Sequence, residues 1–175
     1  MPKIIAEPKK QIEKAAREEL ADKGIGNLSM RGIAKRCSLG VGTIYHYYPD
    51  KLSLLTDLLD EDWQKKSEEA KEKIQTASDL DEDVTIVLTA IEDFRSQSSA
   101  IFHSYQTDDF PAFYLKLHPF FVKSILSLWD CIKTKENVTV DPEIDEIIAE
   151  LIILASRPSS ISKPVLLQSV HKLVS

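Results

Sequence analysis

The chain has 175 residues, of which 43% are hydrophobic and 29% are charged, and this composition is typical of a folded globular protein. No apolar run approaches the roughly 20 residues that a membrane span needs, and residues 1–10 lack the apolar segment of a signal peptide. The two cysteines cannot build a disulfide framework and fit a reducing compartment. We therefore predict a cytoplasmic protein without a membrane segment.

Charge is distributed unevenly along the chain. Residues 1–55 contain ten Lys or Arg and six Asp or Glu, whereas residues 56–175 contain twelve and twenty-two. The first part is thus basic and the second strongly acidic, within a formal net charge of −6. A basic segment on an acidic body can approach a polyanion with that segment only.

Residues 1–50 are predicted to form three short helices. Gly24 and Gly26 end the first helix, Ser29 caps the second, and the third covers residues 42–48. The first helix has one apolar face, made by Ile12, Ala15, Ala16 and Leu20. Short helices joined by a tight turn are typical of helix-turn-helix DNA-binding domains.

The rest of the chain, residues 51–175, is also predicted to be helical, so the fold class is all-α. Long helices are expected over residues 52–76, 82–97 and 111–135, and Pro119 should kink or break the third of these. Asp141-Pro142 and Ser162 with Pro164 are start signals for two further helices. Residues 144–155 are apolar over most of the helix circumference, which favours burial of one side against a second subunit.

Aromatic residues concentrate between Phe102 and Phe121, where seven of the thirteen in the chain occur. Such helices can line an apolar ligand pocket, although aromatic residues also build ordinary cores, and both interpretations stay open. No spacing of His, Cys and Asp resembles a metal site, so neither a metal nor another cofactor is predicted. The predicted ligand pocket consists of Phe94, Phe102, His103, Tyr105, Phe113, Tyr114, Phe120 and Trp129.

The segment from Leu28 to Lys51, LSMRGIAKRCSLGVGTIYHYYPDK, resembles the amino-terminal signature of the tetracycline-repressor (TetR) family of bacterial transcription regulators. The resemblance covers about the first 55 residues and includes Ile33-Ala34, Gly42-Thr43-Ile44-Tyr45, Tyr48 and Lys51 at the family's spacing. The remainder of the chain has no motif of its own, but its length and its long helices agree with the family.

The resemblance implies a role for individual residues. Thr43, Tyr45 and Tyr47 would face DNA from the recognition helix, and Lys51 would contact a phosphate. Val41 would contact a thymine methyl group, and Arg31 a guanine or the backbone. The predicted DNA-binding residues are Ser29, Arg31, Val41, Gly42, Thr43, Tyr45, Tyr47 and Lys51.

The resemblance also implies a dimer, because one short helix reads few bases and a two-fold dimer reads two half-sites. The last two helices, about 141–157 and 162–174, would join those of a partner. The predicted interface residues are Ile148, Ile152, Leu166 and Val170.

Two positions depart from the family pattern. Ser38 stands where the family usually has Gly, and Gly40 stands where it usually has a polar helix cap. We expect Ser38 to adopt a left-handed conformation and Gly40 to act as the cap. Ile44 and Tyr48 are expected in the core, whereas Arg31, Lys35 and Arg36 are either DNA contacts or solvated charges.

These features predict a ligand-responsive transcriptional regulator that binds a palindromic operator as a dimer and is released by a small molecule, most simply as a repressor. The alternative is an activator controlled by a protein partner. A phosphate-binding glycine loop and a nucleophile elbow do not occur in the sequence, so an enzyme is not predicted. A purely structural helical protein is a third reading, and the TetR-like motif argues against it.

Overall fold

The computed structural model describes residues 7–99, 101, 110–157 and 160–175, and between residues 110 and 116 it describes only the side chain of Leu115. This part of the chain contains α-helices and no strand, which confirms the all-α prediction. None of the described helices is long and apolar enough to cross a membrane. The helices are α1 (Pro8–Lys23), α2 (Met30–Arg36), α3 (Val41–Tyr47), α4 (Lys51–Ile74), α5 (Leu80–Gln97), α6 (Phe110–Glu136), α7 (Pro142–Ala155) and α8 (Lys163–Val174).

The chain divides into two compact units, and the change between them falls inside α4, between Glu61 and Asp62. The boundary between the two domains predicted from the sequence lies closer to the amino terminus, after residue 50. The first turns of α4 group with the preceding helices because Arg17 of α1 donates to the Leu58 carbonyl at 3.2 Å and to the Glu61 carboxylate at 3.1 Å. The first unit contains the residues up to Glu61 and the few described ones between 99 and 110; the second contains Asp62–Ser98 and the residues from Pro111 onward.

Local capping signals define the helix starts of the first unit. The Ser29 hydroxyl accepts from the backbone N–H of Gly32 at 3.0 Å, and the Asp50 carboxylate accepts from that of Ser53 at 2.6 Å. Gly40 is the cap residue of α3, as predicted. Ser38 has φ 54°, which confirms the expected left-handed conformation in the turn between α2 and α3.

The core of the first unit is small and apolar. Its fully buried side chains include Ile12, Ala16, Ile33, Ile44 and Leu55. Tyr48 is also buried, as predicted, and its hydroxyl donates to the Glu13 carboxylate at 2.7 Å. Burial raises the pKa of the Tyr48 hydroxyl, which therefore stays a neutral donor. The short helices α2 and α3 thus rest on a fixed support.

The second unit is built from the remainder of α4 and from α5 to α8. Asp79 caps α5 by accepting from the Glu82 N–H at 2.9 Å, and Glu82 accepts from the Ser78 N–H at 2.7 Å. Asp83, fully buried, accepts two hydrogen bonds from Lys135 of α6 at 2.9 and 3.0 Å. This ion pair joins α5 to α6 inside the unit.

Helix α6 continues through Pro119, so of the predicted kink or break, the break does not occur. Proline removes the hydrogen bond to the carbonyl four residues earlier, that of Leu115. Leu115 is 72% exposed, so water can reach this part of the helix and replace the missing donor. The predicted starts of α7 and α8 are confirmed, since Asp141 and Ser162 are their cap residues.

The four residues predicted for the dimer interface lie in the interior of the second unit. Ile148, Ile152 and Leu166 are 0% exposed, and Val170 is 1% exposed. Side chains that are already buried in their own chain have no surface to offer a partner. The apolar side chains that α7 and α8 do expose are those of Ile147, Leu154 and Val165.

Candidate nucleic-acid interface

Helix α3 has one buried side and a wide exposed side. Ile44 is fully buried, and Tyr48, one turn later, is 2% exposed. Because successive residues of an α-helix are about 100° apart, Gly42, Thr43 and His46 lie on the opposite side. Gly42 and His46 are exposed, and Thr43 is half-buried. The helix therefore presents an arc of polar and small residues outward.

Two tyrosines border this arc. Tyr45 is 50% exposed and Tyr47 is 40% exposed. They lie about 200° apart around the helix, so they flank the arc rather than share one line along it. His46 stands midway between them and makes an edge-on contact with the Tyr47 ring at a centroid distance of 5.3 Å. His46 was not among the predicted contact residues, and its exposed position on α3 makes it a further candidate.

The remaining predicted contact residues lie at helix starts of the same unit. Ser29 and Arg31 are exposed at the start of α2, although the Ser29 hydroxyl is already used as a cap. Val41 is half-buried at the start of α3. The structure therefore brings the eight predicted residues to the starts of α2 and α4 and to α3, and their contact with DNA stays a prediction.

Lys51 has a structural partner. Its ammonium donates to the backbone carbonyl of Ile25 at 2.8 Å, and this bond ties the start of α4 to the turn after α1. Burial lowers the pKa of Lys51. Lys51 therefore positions the helices of the first unit in addition to the phosphate contact predicted for it.

A buried carboxylate fixes α2 on α1. Glu19 is 1% exposed and accepts from the Arg36 guanidinium at 3.0 and 3.1 Å and from the Lys23 ammonium at 2.7 Å. These hydrogen bonds, that of Lys23 first, lower the pKa of Glu19 against the opposing effect of burial. Arg36 also bonds to Asp22 at 2.7 Å, so this exposed residue takes part in the support of α2.

Glu19 was not identified from the sequence. Its position on the apolar face of α1, three residues after Ala16, was the available signal, because a carboxylate at a buried position requires partners. The partner Arg36 lies 17 residues away, where no local pattern identifies it.

The predicted ligand pocket is described only in part. Phe94 and Trp129 are buried, and Phe120 is half-buried. The Trp129 indole donates to the Asp145 carboxylate at 2.6 Å, which joins α6 to α7. Phe102, His103 and Tyr105 lie outside the described residues, as do the side chains of Phe113 and Tyr114.

Comparison with known proteins supports the interpretation of the first unit. A family model described as bacterial regulatory proteins, tetR family, matches residues 12–58. The HTH-type transcriptional regulator UidR of Escherichia coli K12 is 31% identical over 65 residues. This match covers 37% of the chain and 33% of UidR, so the chain aligns with about a third of that relative.

Solved structures show a similar fold over nearly the whole chain. SCO7518 of Streptomyces coelicolor A3(2) has a TM-score of 0.61 at 17% identity, covering 95% of this chain and 98% of SCO7518. Thermus thermophilus FadR, a TetR-family transcriptional repressor in complex with lauroyl-CoA, has a TM-score of 0.61 at 17% identity, with coverages of 94% and 90%. At these identities the likeness concerns the fold. The likeness to the tetR family is thus carried in sequence by residues 12–58 and in fold by nearly the whole chain.

Proposed function

We propose that the protein is a transcriptional regulator that binds operator DNA through α2 and α3 and acts as a homodimer. The observation that carries this proposal is the exposed arc of α3. The helix rests on the buried apolar core of the first unit, and the ion pairs of Glu19 fix the neighbouring α2. A short helix with polar and aromatic side chains on its outer side has the size and chemistry to enter a major groove.

The contacts we propose divide into two kinds. The hydroxyl groups of Tyr45, Tyr47 and Thr43 donate to phosphate oxygens. These contacts position the helix on the DNA but do not distinguish one base sequence from another. Arg31, exposed at the start of α2, supplies the guanidinium that reads a guanine edge. Gly42 has no atom within 4 Å of the place where a Cβ would stand, so the backbone of α3 can approach DNA closely at that point.

The proposed dimer uses the exposed face of α7. This face carries Ile147 and Leu154, which are 46% and 38% exposed, with the half-buried Leu151 between them. Glu143 stands at one end of the face and Arg157 at the other. In a two-fold arrangement with the two copies of α7 antiparallel, Glu143 of each copy would meet Arg157 of the other, so the face complements itself.

The proposed regulation is release of DNA when a small molecule binds in the second unit. The aromatic side chains of α5 and α6 support a largely apolar ligand, and the FadR structure of the same fold holds lauroyl-CoA. A ligand releases DNA only if it prefers one arrangement of the protein, and near-complete release takes several kcal/mol of preference.

Selection of bound duplexes from a random DNA pool, followed by a salt titration on the enriched site, tests DNA binding. We expect a two-fold symmetric site whose affinity falls with salt and drops on Tyr45→Ala and Arg31→Ala. Lys163→Ala, an exposed change in the second unit, is the control and should bind normally. Failure to enrich any sequence would contradict the proposal.

Sedimentation of Ile147→Glu tests the dimer. A charge at the centre of the apolar face should convert a dimer into a monomer and weaken binding to the symmetric site. Thr139→Glu adds the same charge at an exposed position outside α7 and should leave the dimer intact. A dimer that persists with Ile147→Glu would place the interface elsewhere.

The alternative is control by a protein partner instead of a small molecule. It would be favoured if apolar ligands bound the second unit without changing DNA affinity. The same face of α7 would then be the surface to test for that partner, because it is an apolar face that the described part of this unit exposes.

A further inference from the structure

The indole of Trp63 is fully buried and has no hydrogen-bond partner among the described residues. Trp63 lies in α4, in the part of that helix that belongs to the second unit, and is 0% exposed. Among the described residues, no other buried side-chain nitrogen or oxygen lacks a hydrogen-bond partner. A buried donor left unsatisfied costs about 1–3 kcal/mol, so its retention requires an explanation.

Trp63 stands in a cluster of aromatic rings from three helices. Its ring contacts Phe94 of α5 and Phe121 of α6 at centroid distances of 5.4 and 5.7 Å, and these two rings are 5.4 Å apart. Trp63 and Phe94 are buried, whereas Phe121 and its neighbour Phe120 are half-buried. The rings that α6 contributes to the cluster are therefore less completely buried than those of α4 and α5.

The second tryptophan provides an internal comparison. Trp129 is buried in the same unit, and its indole donates to Asp145 at 2.6 Å. Asp145 also accepts from Lys133 at 2.5 Å, so this indole is fixed by charged neighbours. Where the indole has a structural role, the chain supplies an acceptor; at Trp63 the donor remains available.

We propose that Trp63 binds the effector and that its N–H selects a ligand with a hydrogen-bond acceptor on an apolar, ring-sized body. Phe94 and Phe121 would contact the apolar part, while a carbonyl, carboxylate or ether oxygen of the ligand would accept from Nε1. This inference rests on the proposed function and specifies the class of effector. An apolar molecule of the same shape without an acceptor leaves the donor unsatisfied and binds more weakly.

Nuclear magnetic resonance of the indole N–H groups tests the proposal directly. The full chain labelled with 15N at its two tryptophans should give two indole signals. Trp63→Phe and Trp129→Phe each remove one of them. One variant that folds is therefore enough to assign both signals. In the free protein, the Trp63 proton should resonate upfield of the Trp129 proton, which is bonded to Asp145. Acetophenone, as a probe, should shift the Trp63 signal downfield as the hydrogen bond forms.

A matched pair of probes measures the selectivity. Acetophenone and α-methylstyrene have nearly the same shape, but only the first has a carbonyl oxygen. Wild-type protein should bind acetophenone about tenfold more tightly, as expected for one hydrogen bond to an otherwise unsatisfied donor. In Trp63→Phe this preference should disappear, whereas in Lys163→Ala, an exposed change in the same unit, it should remain.

Equal binding of the two probes, a Trp63 signal that does not move, or no binding of either probe up to its solubility limit would overturn the inference. These titrations contain no DNA, so their failure leaves DNA binding by the first unit untouched. If acetophenone binds through Trp63 but does not reduce DNA affinity, the site stands and the proposed release by ligand fails.

Discussion

The carboxylate of Glu19 fills the space that a side chain at Gly32 would need. A Cβ on residue 32 would overlap Glu19 Oε1 and would lie 3.0 Å from both Glu19 Cδ and Ser29 Oγ. The carboxylate cannot move aside freely, because Arg36 and Lys23 hold it in the interior between α1 and α2. The absence of a side chain at Gly32 thus allows a buried ion pair to join the first helix to the second.

Gly32→Ala should therefore destabilise the first unit. Alanine normally stabilises a helix interior relative to glycine. A loss of stability in Gly32→Ala would therefore report the steric overlap and not helix propensity. We expect the free energy of unfolding to fall by about 1–3 kcal/mol, as for other overpacked sites. Chemical denaturation followed by circular dichroism measures it.

Gly26→Ala is the matched control for this substitution. Gly26 lies in the turn after α1 and has no atom within 4 Å of the place where a Cβ would stand, so its change should stay within about 0.5 kcal/mol. The double variant Glu19→Ala with Gly32→Ala adds a second test, since removal of the carboxylate should cancel the cost of the new methyl group. Additive losses in that double variant would show that another contact is responsible.

Glu19 should also make the first unit sensitive to acid. Hydrogen bonds from Lys23 and Arg36 lower its pKa in the folded state, so its contribution to stability is complete above the unfolded pKa, near the ordinary value of 4.5. That contribution is lost as the pH falls through the folded value. Glu19→Gln should lower the stability of the first unit at pH 7. It should also make the fall in stability between pH 5 and pH 3 smaller than in the wild type, as measured by thermal unfolding. Glu72→Gln, which removes an exposed carboxylate outside the first unit, is the control.

Local features of this fold could be predicted from sequence, and contacts between distant helices could not. The caps at Ser29 and Asp50 and the left-handed Ser38 depend on residues within a few positions of one another. The bond between Glu19 and Arg36 and the unpaired indole of Trp63 depend on how separate helices pack, which periodicity does not specify. The residues of α7 and α8 that were predicted for the dimer interface are buried in their own chain. An apolar helix pattern does not reveal which side of the helix packs against the core of its own chain.

Ser38 offers a test of backbone conformation. Its φ of 54° costs a residue with a side chain about 1 kcal/mol, and glycine adopts this conformation without that cost. Ser38→Gly should raise the free energy of unfolding by about 0.5–1 kcal/mol and the melting temperature by a few degrees. Ser38→Ala keeps the steric cost and should not stabilise. A loss of stability with glycine would mean that the serine hydroxyl has an essential contact.

Lys51 allows a structural role to be separated from a phosphate contact. Lys51→Met removes the bond to the Ile25 carbonyl and keeps the length of the side chain, so it should lower the melting temperature of the first unit. If the ammonium also neutralises a phosphate, the slope of log affinity against log salt should decrease by about one. We expect lower stability together with a smaller slope. An unchanged slope in the folded variant would leave Lys51 with the structural role alone.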